Sequence, residues 1–212
     1  MLGTENILLF VSTGILLNLY PGPDTLYIIG RSVSQGRLAG ISATLGISSG
    51  AVLHLLFGSL GLSAIITTSA KAFMIVKIAG AGYLIYQGIM MLFKKSRIEA
   101  NGVGQIENTD CLKIYKQGVI TNLLNPKVAV FFMAFLPQFI TPDSPNKGLS
   151  FVFLGLIFMT TGTMWCLLVT LFSSAISNKL RSNTKTTNWL MKINVLLFMY
   201  LGLKLATATI KN

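Results

Sequence analysis

Six long apolar runs divide the chain, and short polar segments separate them. The runs cover residues 5–30, 38–63, 72–93, 115–140, 149–175 and 189–209. A transmembrane α-helix needs about 20 mostly apolar residues, and each run meets that requirement. Sustained alternation of apolar and polar positions, which membrane strands would show, does not occur in the sequence. The pattern predicts an all-α integral membrane protein with six transmembrane helices.

The composition supports this class. Charged residues make up only 11% of the chain, whereas a soluble domain carries about 25%. The net charge of +11 would favour nucleic-acid binding in a soluble protein. Here the basic residues lie mostly in the short segments between apolar runs, which is typical of cytoplasmic loops. We therefore expect a lipid bilayer around the protein and no nucleic-acid partner.

The distribution of Lys and Arg predicts the orientation. Six crossings place the first, third and fifth connections on one side, and that side carries eleven basic residues against five. The eleven are Arg31, Arg37, Lys94, Lys95, Arg97, Lys113, Lys116, Lys179, Arg181, Lys185 and Lys192, and the five are Lys71, Lys77, Lys147, Lys204 and Lys211. The richer side is predicted to be cytoplasmic, with both termini periplasmic.

The two halves of the chain share an internal repeat. The segment from Gly14 to Leu19 matches the segment from Gly118 to Leu123, and a predicted helix break follows each. Residues 1–93 form a first three-helix repeat, 94–112 a polar cytoplasmic linker, and 113–212 a second three-helix repeat. Because three is odd, the second repeat is predicted to insert upside down, as in many transporters.

The first break lies at Pro21-Gly22-Pro23, inside the first run. Two prolines and a glycine stop a helix, and the backbone groups they release need partners that lipid does not offer. Helix is expected to restart near Pro23, and the amides of its first turn can hold an anion. Asp24 is the only acid in the interior of a predicted span. It either binds cargo and protons, or it caps the restarted helix near the headgroups.

The second break, from Asn122 to Lys127, lies in the middle of the fourth run. Pro126 opens the helix there, and Lys127 is the only basic residue well inside a span. Lys127 is predicted either to neutralise Asp24 or to attract a substrate carboxylate. The alternative is a lysine whose ammonium reaches the headgroups.

His54 is the only histidine, and it follows a stripe of glycines on the second helix. Gly46, Gly50, Gly58 and Gly61 should let neighbouring helices approach this face. His54 is therefore expected to face protein, where it either relays protons or has a purely structural role.

No cofactor or metal is expected, and no enzymatic activity. The chain has one histidine and two widely separated cysteines, Cys111 and Cys166. The segment Gly46–Gly50 matches the G-x-S-x-G pattern of hydrolases, but that pattern requires a strand before its serine and here it lies in a predicted helix.

The sequence resembles the LysE/RhtB family of amino-acid exporters along nearly its whole length. The resemblance is carried by Pro21-Gly22-Pro23-Asp24, by Gly118 followed by Asn122 to Lys127, and by the aromatic segment from Phe131 to Phe139. It implies a bacterial inner-membrane exporter of amino acids or close derivatives, driven by the proton gradient. It also implies that Pro21 to Asp24 and Asn125 to Lys127 form the transport site.

The combined hypothesis is substrate/H⁺ antiport by alternating access, with a zwitterionic amino acid bound between the two broken helices. Asp24 and His54 are the predicted proton-coupling residues. The predicted substrate-binding residues are Asn18, Pro21, Gly22, Pro23, Asp24, Thr25, Asn122, Asn125, Pro126 and Lys127. Two alternatives remain: an exporter of another small solute or ion on the same scaffold, and a membrane scaffold protein that transports nothing. Assembly into a homo-oligomer stays open.

Overall fold

The computed structural model describes residues 3–19, 21–68 and 110–173, together with isolated helical residues in 74–90 and 192–203. The long elements in this part of the chain are α1 (Ile7–Leu19), α2 (Pro23–Thr68), α3 (Cys111–Leu123), α4 (Pro126–Val130) and α5 (Lys147–Leu171). A π-helical turn (Phe131–Phe135) and a 3₁₀ turn (Leu136–Phe139) continue α4. Nearly all of the predicted linker, and most of the runs 72–93 and 189–209, lie outside the described residues.

Among the described residues, three stretches have the length and apolar character of membrane spans, if the bent pair is counted as one. They are Pro23–Gly61, Lys147–Leu171 and, as one span bent by 49°, Cys111–Leu123 with Pro126–Phe139. On the outer face of α5, Leu156, Met164 and Leu171 are 50–61% exposed, as expected of side chains that meet lipid. The all-α membrane class is thus supported, whereas the arrangement of six spans as two inverted repeats stays a prediction.

α2 reverses its direction at Gly36. This residue has φ 84° and ψ −180°, a conformation that is nearly restricted to glycine. A Cβ built on Gly40 would lie 3.1 Å from the Cβ of Ser32, whereas a straight helix separates residues eight apart by about 12 Å. The connection predicted between the first two membrane helices is therefore a tight turn at one glycine.

Two sets of contacts mark opposite ends of the described helices. At one end, Glu5 N–H donates to the Phe139 carbonyl and Thr141 N–H donates to that of Gly3, both at 2.9 Å. Nearer the other end, between Asp24 and Gly36, the Tyr27 hydroxyl donates to the Ile114 carbonyl at 2.8 Å. The N-terminus therefore lies on the side of the Phe139–Thr141 segment, opposite Gly36. Which side faces the cytoplasm stays a prediction.

Close glycine contacts hold α2 against α3. A Cβ on Gly46 would lie 3.0 Å from the Gly118 Cα, and a Cβ on Gly50 would lie 2.8 Å from the Asn122 Cβ. Lipid gives apolar helices little reason to associate, so close packing of this kind is the main source of attraction. The predicted glycine stripe is confirmed at Gly46, Gly50 and Gly58, while a Cβ built on Gly61 would meet no atom of the described residues within 4 Å.

The two halves of the chain make reciprocal contacts. The Asn18 side chain of α1 lies against Gly162 of α5, and the Asn122 side chain of α3 lies against Gly50 of α2. One helical turn earlier, each interface repeats a contact through a glycine: Gly14 with Phe158, and Gly118 with Gly46. Each half thus inserts its broken helix against the long helix of the other half. This exchange is what an inverted repeat would produce.

Candidate functional site

Both predicted helix breaks occur, and they lie halfway along their spans. α1 has 13 residues before the first break, and about as many separate Pro23 from Gly36. α3 also has 13 residues, after which Asn125 caps α4 by accepting the Lys127 N–H at 3.0 Å. A helix of this length is about 20 Å long, so each break lies near the centre of a bilayer-sized span.

Two basic side chains bind carbonyls in the helix turns that precede the breaks, and one of these carbonyls, that of Asn122, also accepts the Asn125 N–H at 2.9 Å. The Lys127 Nζ donates a hydrogen bond to the Leu17 carbonyl in the last turn of α1. The His54 Nε2 lies 3.1 Å from the Asn122 carbonyl in the last turn of α3, and because a carbonyl only accepts, the ring donates. The expectation that protein would supply these partners is therefore confirmed for both carbonyls.

Asp24 lies in the first turn of α2, where the helix dipole favours a negative charge. Its Oδ2 accepts a 2.7 Å hydrogen bond from the Asn122 side-chain amide. Its Oδ1 is buried and makes no hydrogen bond to any described residue. The carboxylate is thus half satisfied, and it sits between the two breaks rather than at the end of the span.

A cavity of about 60 Å³ lies at the point where the breaks meet. It has room for a few water molecules, so binding a larger solute requires the walls to move apart. Its walls come from all five helices: Leu17, Asn18, Gly22, Asp24, Thr25, Ile47, Ser48, Ala51, Asn122, Asn125, Lys127, Val128, Phe158, Met159, Gly162, Thr163, Trp165 and Cys166.

Seven of the predicted substrate-binding residues line this cavity: Asn18, Gly22, Asp24, Thr25, Asn122, Asn125 and Lys127. Lys127 lies beside Gly22, since a Cβ on Gly22 would be 3.8 Å from its Nζ. Pro21, Pro23 and Pro126 flank or follow the breaks without lining the cavity. Their described role is to interrupt the helices, and direct contact with substrate stays a prediction for them.

His54 lies outside the cavity lining. Its ring is buried, and it stacks on Phe132 with ring centroids 6.0 Å apart. These contacts favour the structural alternative, in which His54 holds the Asn122 carbonyl. A role in proton coupling stays a prediction.

The wall that α5 contributes to the cavity was not predicted from the sequence. Phe158, Met159, Gly162, Thr163 and Trp165 all line the cavity. The polar and small cluster from Thr160 to Thr163, in the middle of an apolar helix, is a signal that could have located this wall.

Apolar helices that break midway around a buried polar cavity define a class of membrane transporters. The pattern of the LysE type translocator family matches residues 15–209 of this chain. The chain therefore belongs to the LysE family of translocators, which are transporters, as the resemblance in its motifs predicts.

Individual relatives agree with the family. An uncharacterized membrane protein of Pseudomonas aeruginosa is 27% identical over 99% of this chain and 98% of its own length. A homoserine/homoserine lactone efflux protein of Salmonella typhimurium is 31% identical, over 65% of this chain and 66% of the relative. A leucine efflux protein of Salmonella choleraesuis is also 31% identical, over 72% of this chain and 71% of the relative. No solved structure shows significant similarity to the chain.

Proposed function

We propose that this protein is a secondary active exporter of amino acids or close derivatives, working by substrate/H⁺ antiport. The observation that carries the proposal is the Asp24 carboxylate, which has one buried oxygen without a hydrogen bond to any described residue and lines a cavity between two helix breaks. A carboxylate is costly in such a place, because membrane interiors disfavour charge, and acids inside a membrane are usually functional. The names of two relatives, for leucine and for homoserine efflux, support an amino acid as cargo.

The site suits a zwitterion because it offers both signs of charge. Asp24 and Lys127 line the same cavity, and their opposite charges attract each other across it. A divalent cation would prefer several carboxylates, and the described lining contains one. An α-amino acid, with one ammonium and one carboxylate, matches the balance of charge better.

The way the halves interlock supports alternating access. α1 packs on α5 of the other half, and α3 packs on α2, with the cavity between these two interfaces. If one interface opens while the other stays closed, the cavity is exposed to one side of the membrane at a time. The present cavity is too small for an amino acid, which fits a closed intermediate of this cycle.

Proton coupling is assigned to Asp24. The ionised carboxylate receives the substrate ammonium while the site is open to the cytoplasm. After reorientation, a proton from the outside binds Asp24 and displaces the substrate. The protonated site returns and releases its proton inside, so one proton enters as one amino acid leaves.

We place the protein in the bacterial inner membrane, with both termini on the periplasmic side. Support comes from the excess of basic residues in the predicted cytoplasmic connections and from relatives named as membrane proteins. Labelling of single cysteines from outside the cell, in a background with Cys111 and Cys166 replaced, tests the orientation. A cysteine at Asp143 should react and one at Arg37 should not.

Transport by purified protein in proteoliposomes tests the function. A panel of labelled amino acids should include at least one whose transport is driven by an imposed pH gradient and stops when that gradient is dissipated. Asp24→Asn should abolish movement driven by the gradient, while exchange of substrate across the membrane persists in reduced form. Asp143→Asn, which changes an exposed acid outside the spans, is the control and should behave as wild type. The coupling role is wrong if Asp24→Asn keeps the wild-type rate and pH dependence.

A further inference from the structure

Four buried polar atoms around the cavity make no hydrogen bond to any described residue. Two are acceptors, Asp24 Oδ1 and Asn122 Oδ1, and two are donors, Asn18 Nδ2 and Trp165 Nε1. All four residues line the cavity. Buried polar atoms in native proteins are nearly always hydrogen-bonded to protein, water or a ligand, so four atoms without a protein partner among the described residues mark a polar surface that is open to water or to a substrate.

The donors and the acceptors occupy different walls. Asp24 and Asn122 are joined by their own hydrogen bond, which places the two acceptors together between α2 and α3. Asn18 lies against Gly162, since a Cβ on Gly162 would be 3.3 Å from the Asn18 Nδ2. Trp165 follows Gly162 by three residues on α5, which puts both positions on one face of that helix. Both donors therefore belong to the walls that α1 and α5 give to the cavity, and the Trp165 ring also packs against the apolar cluster that contains Ile28 and Ile47 of α2.

Other groups that could bind a substrate carboxylate are less available. The Lys127 ammonium already donates to the Leu17 carbonyl. The first free amide of α4 is capped by the Asn125 side chain. The first turn of α2 holds the Asp24 carboxylate, which would repel a second negative charge. Asn18 and Trp165, by contrast, offer buried donors that make no hydrogen bond to any described residue.

The rest of the lining decides which side chain the substrate carries. Leu17, Ile47, Val128, Phe158 and Met159 give an apolar surface. Asp24 is the single acid among the described lining residues, and the substrate ammonium uses it. A cationic side chain would have no counter-charge in this cavity, and a second carboxylate on the substrate would lie in an apolar wall.

We propose that Trp165 and Asn18 bind the substrate carboxylate, that Asp24 and Asn122 bind the ammonium, and that Phe158 and Met159 enclose an uncharged side chain. The substrate class is thus the neutral α-amino acids. This rests on the proposed function as an exporter, and it assigns the selectivity to α5.

Trp165→Phe tests the assignment, because it removes the indole N–H and keeps an aromatic ring. In counterflow with labelled leucine, it should raise the half-saturating concentration about tenfold or more, the size expected for a hydrogen bond to a charged group. Leucinol, which has the ammonium and side chain but no carboxylate, should compete equally well in the variant and in wild type. Met164→Leu, an exposed neighbour on α5, should leave both values unchanged.

Gly162→Ala is a second variant in case Trp165→Phe does not fold. Its methyl group would press on the Asn18 amide and should weaken leucine binding without affecting leucinol competition. Equal loss for leucine and leucinol, or no loss for leucine in a folded variant, would overturn the carboxylate assignment. Wild-type transport of lysine but not of neutral amino acids would overturn the substrate class and leave the exporter function standing. Absence of transport for every amino acid would instead refute the proposed function, and this inference with it.

Discussion

The side-chain amide of Asn122 donates a 2.7 Å hydrogen bond to Asp24 Oδ2, and so joins the last turn of α3 to the first turn of α2. The two residues come from different halves of the chain and from different helix breaks. The same Asn122 offers its backbone carbonyl to His54. Asn122 therefore connects the predicted proton-binding acid to the packing of the second predicted helix.

Asn122→Ala should reduce transport about tenfold or more while the protein still folds. The substitution removes a hydrogen bond to a charged group, worth about 1.5–3 kcal/mol, and leaves the Asp24 carboxylate with one fewer partner. Initial rates in proteoliposomes, normalised to folded protein, measure the effect. Thr121→Ala is the matched control, because the Thr121 hydroxyl bonds only to the Gln117 carbonyl of its own helix. Rates within twofold of wild type for Asn122→Ala would show that the contact is dispensable.

Lys127→Met should destabilise the protein by about 1–3 kcal/mol and abolish transport. The aliphatic part of the side chain is kept, but the Leu17 carbonyl loses its donor inside the membrane. Unfolding in detergent, followed by tryptophan fluorescence, gives the free energy. Lys116→Met changes an exposed lysine on α3 and should alter neither quantity. If Lys127→Met is as stable as wild type but does not transport, the ammonium acts on substrate alone and its contact with Leu17 is incidental.

His54→Gln separates the two roles that the sequence left open for His54. Glutamine keeps a donor for the Asn122 carbonyl but cannot carry a proton. The contacts of His54 favour support of that carbonyl, so transport should stay within about threefold of wild type with the same dependence on pH. His54→Leu, which has no donor, should lower stability. A His54→Gln protein that folds and binds substrate but no longer responds to the pH gradient would instead establish the proton relay.

The helix breaks and their polar residues could be predicted because their signals are local. Pro21, Pro23 and Pro126 interrupt helix wherever they stand inside one, and Asp24 and Lys127 are conspicuous in an apolar run. What Lys127 binds could not be predicted, because Leu17 is 110 residues away and the contact depends on how the halves pack.

Apart from the small and polar cluster Thr160–Thr163, the sequence of α5 does not mark the face that lines the cavity. A membrane helix is apolar on every side, so its sequence carries no clear period that marks the inward face. The sequence is equally consistent with a Trp165 that faces lipid. Only the contact between Gly162 and Asn18 shows that this part of α5 faces the protein interior. The tight turn in α2 was not predicted for a different reason, because a single glycine at position 36 does not indicate how short the connection is.

Gly36→Ala should destabilise the protein by about 1–3 kcal/mol through backbone strain alone. No atom lies within 4 Å of a Cβ built there, so the added methyl group meets nothing, yet φ of 84° and ψ of −180° disfavour any residue with a side chain. Gly61→Ala is the control, because its Cβ also meets no atom within 4 Å but its helical backbone accepts alanine. Thermal unfolding in detergent should show a lower midpoint for Gly36→Ala and an equal or higher midpoint for Gly61→Ala. Equal midpoints for wild type and Gly36→Ala would mean that the turn between the first two helices does not need glycine, and that α2 folds back by other means.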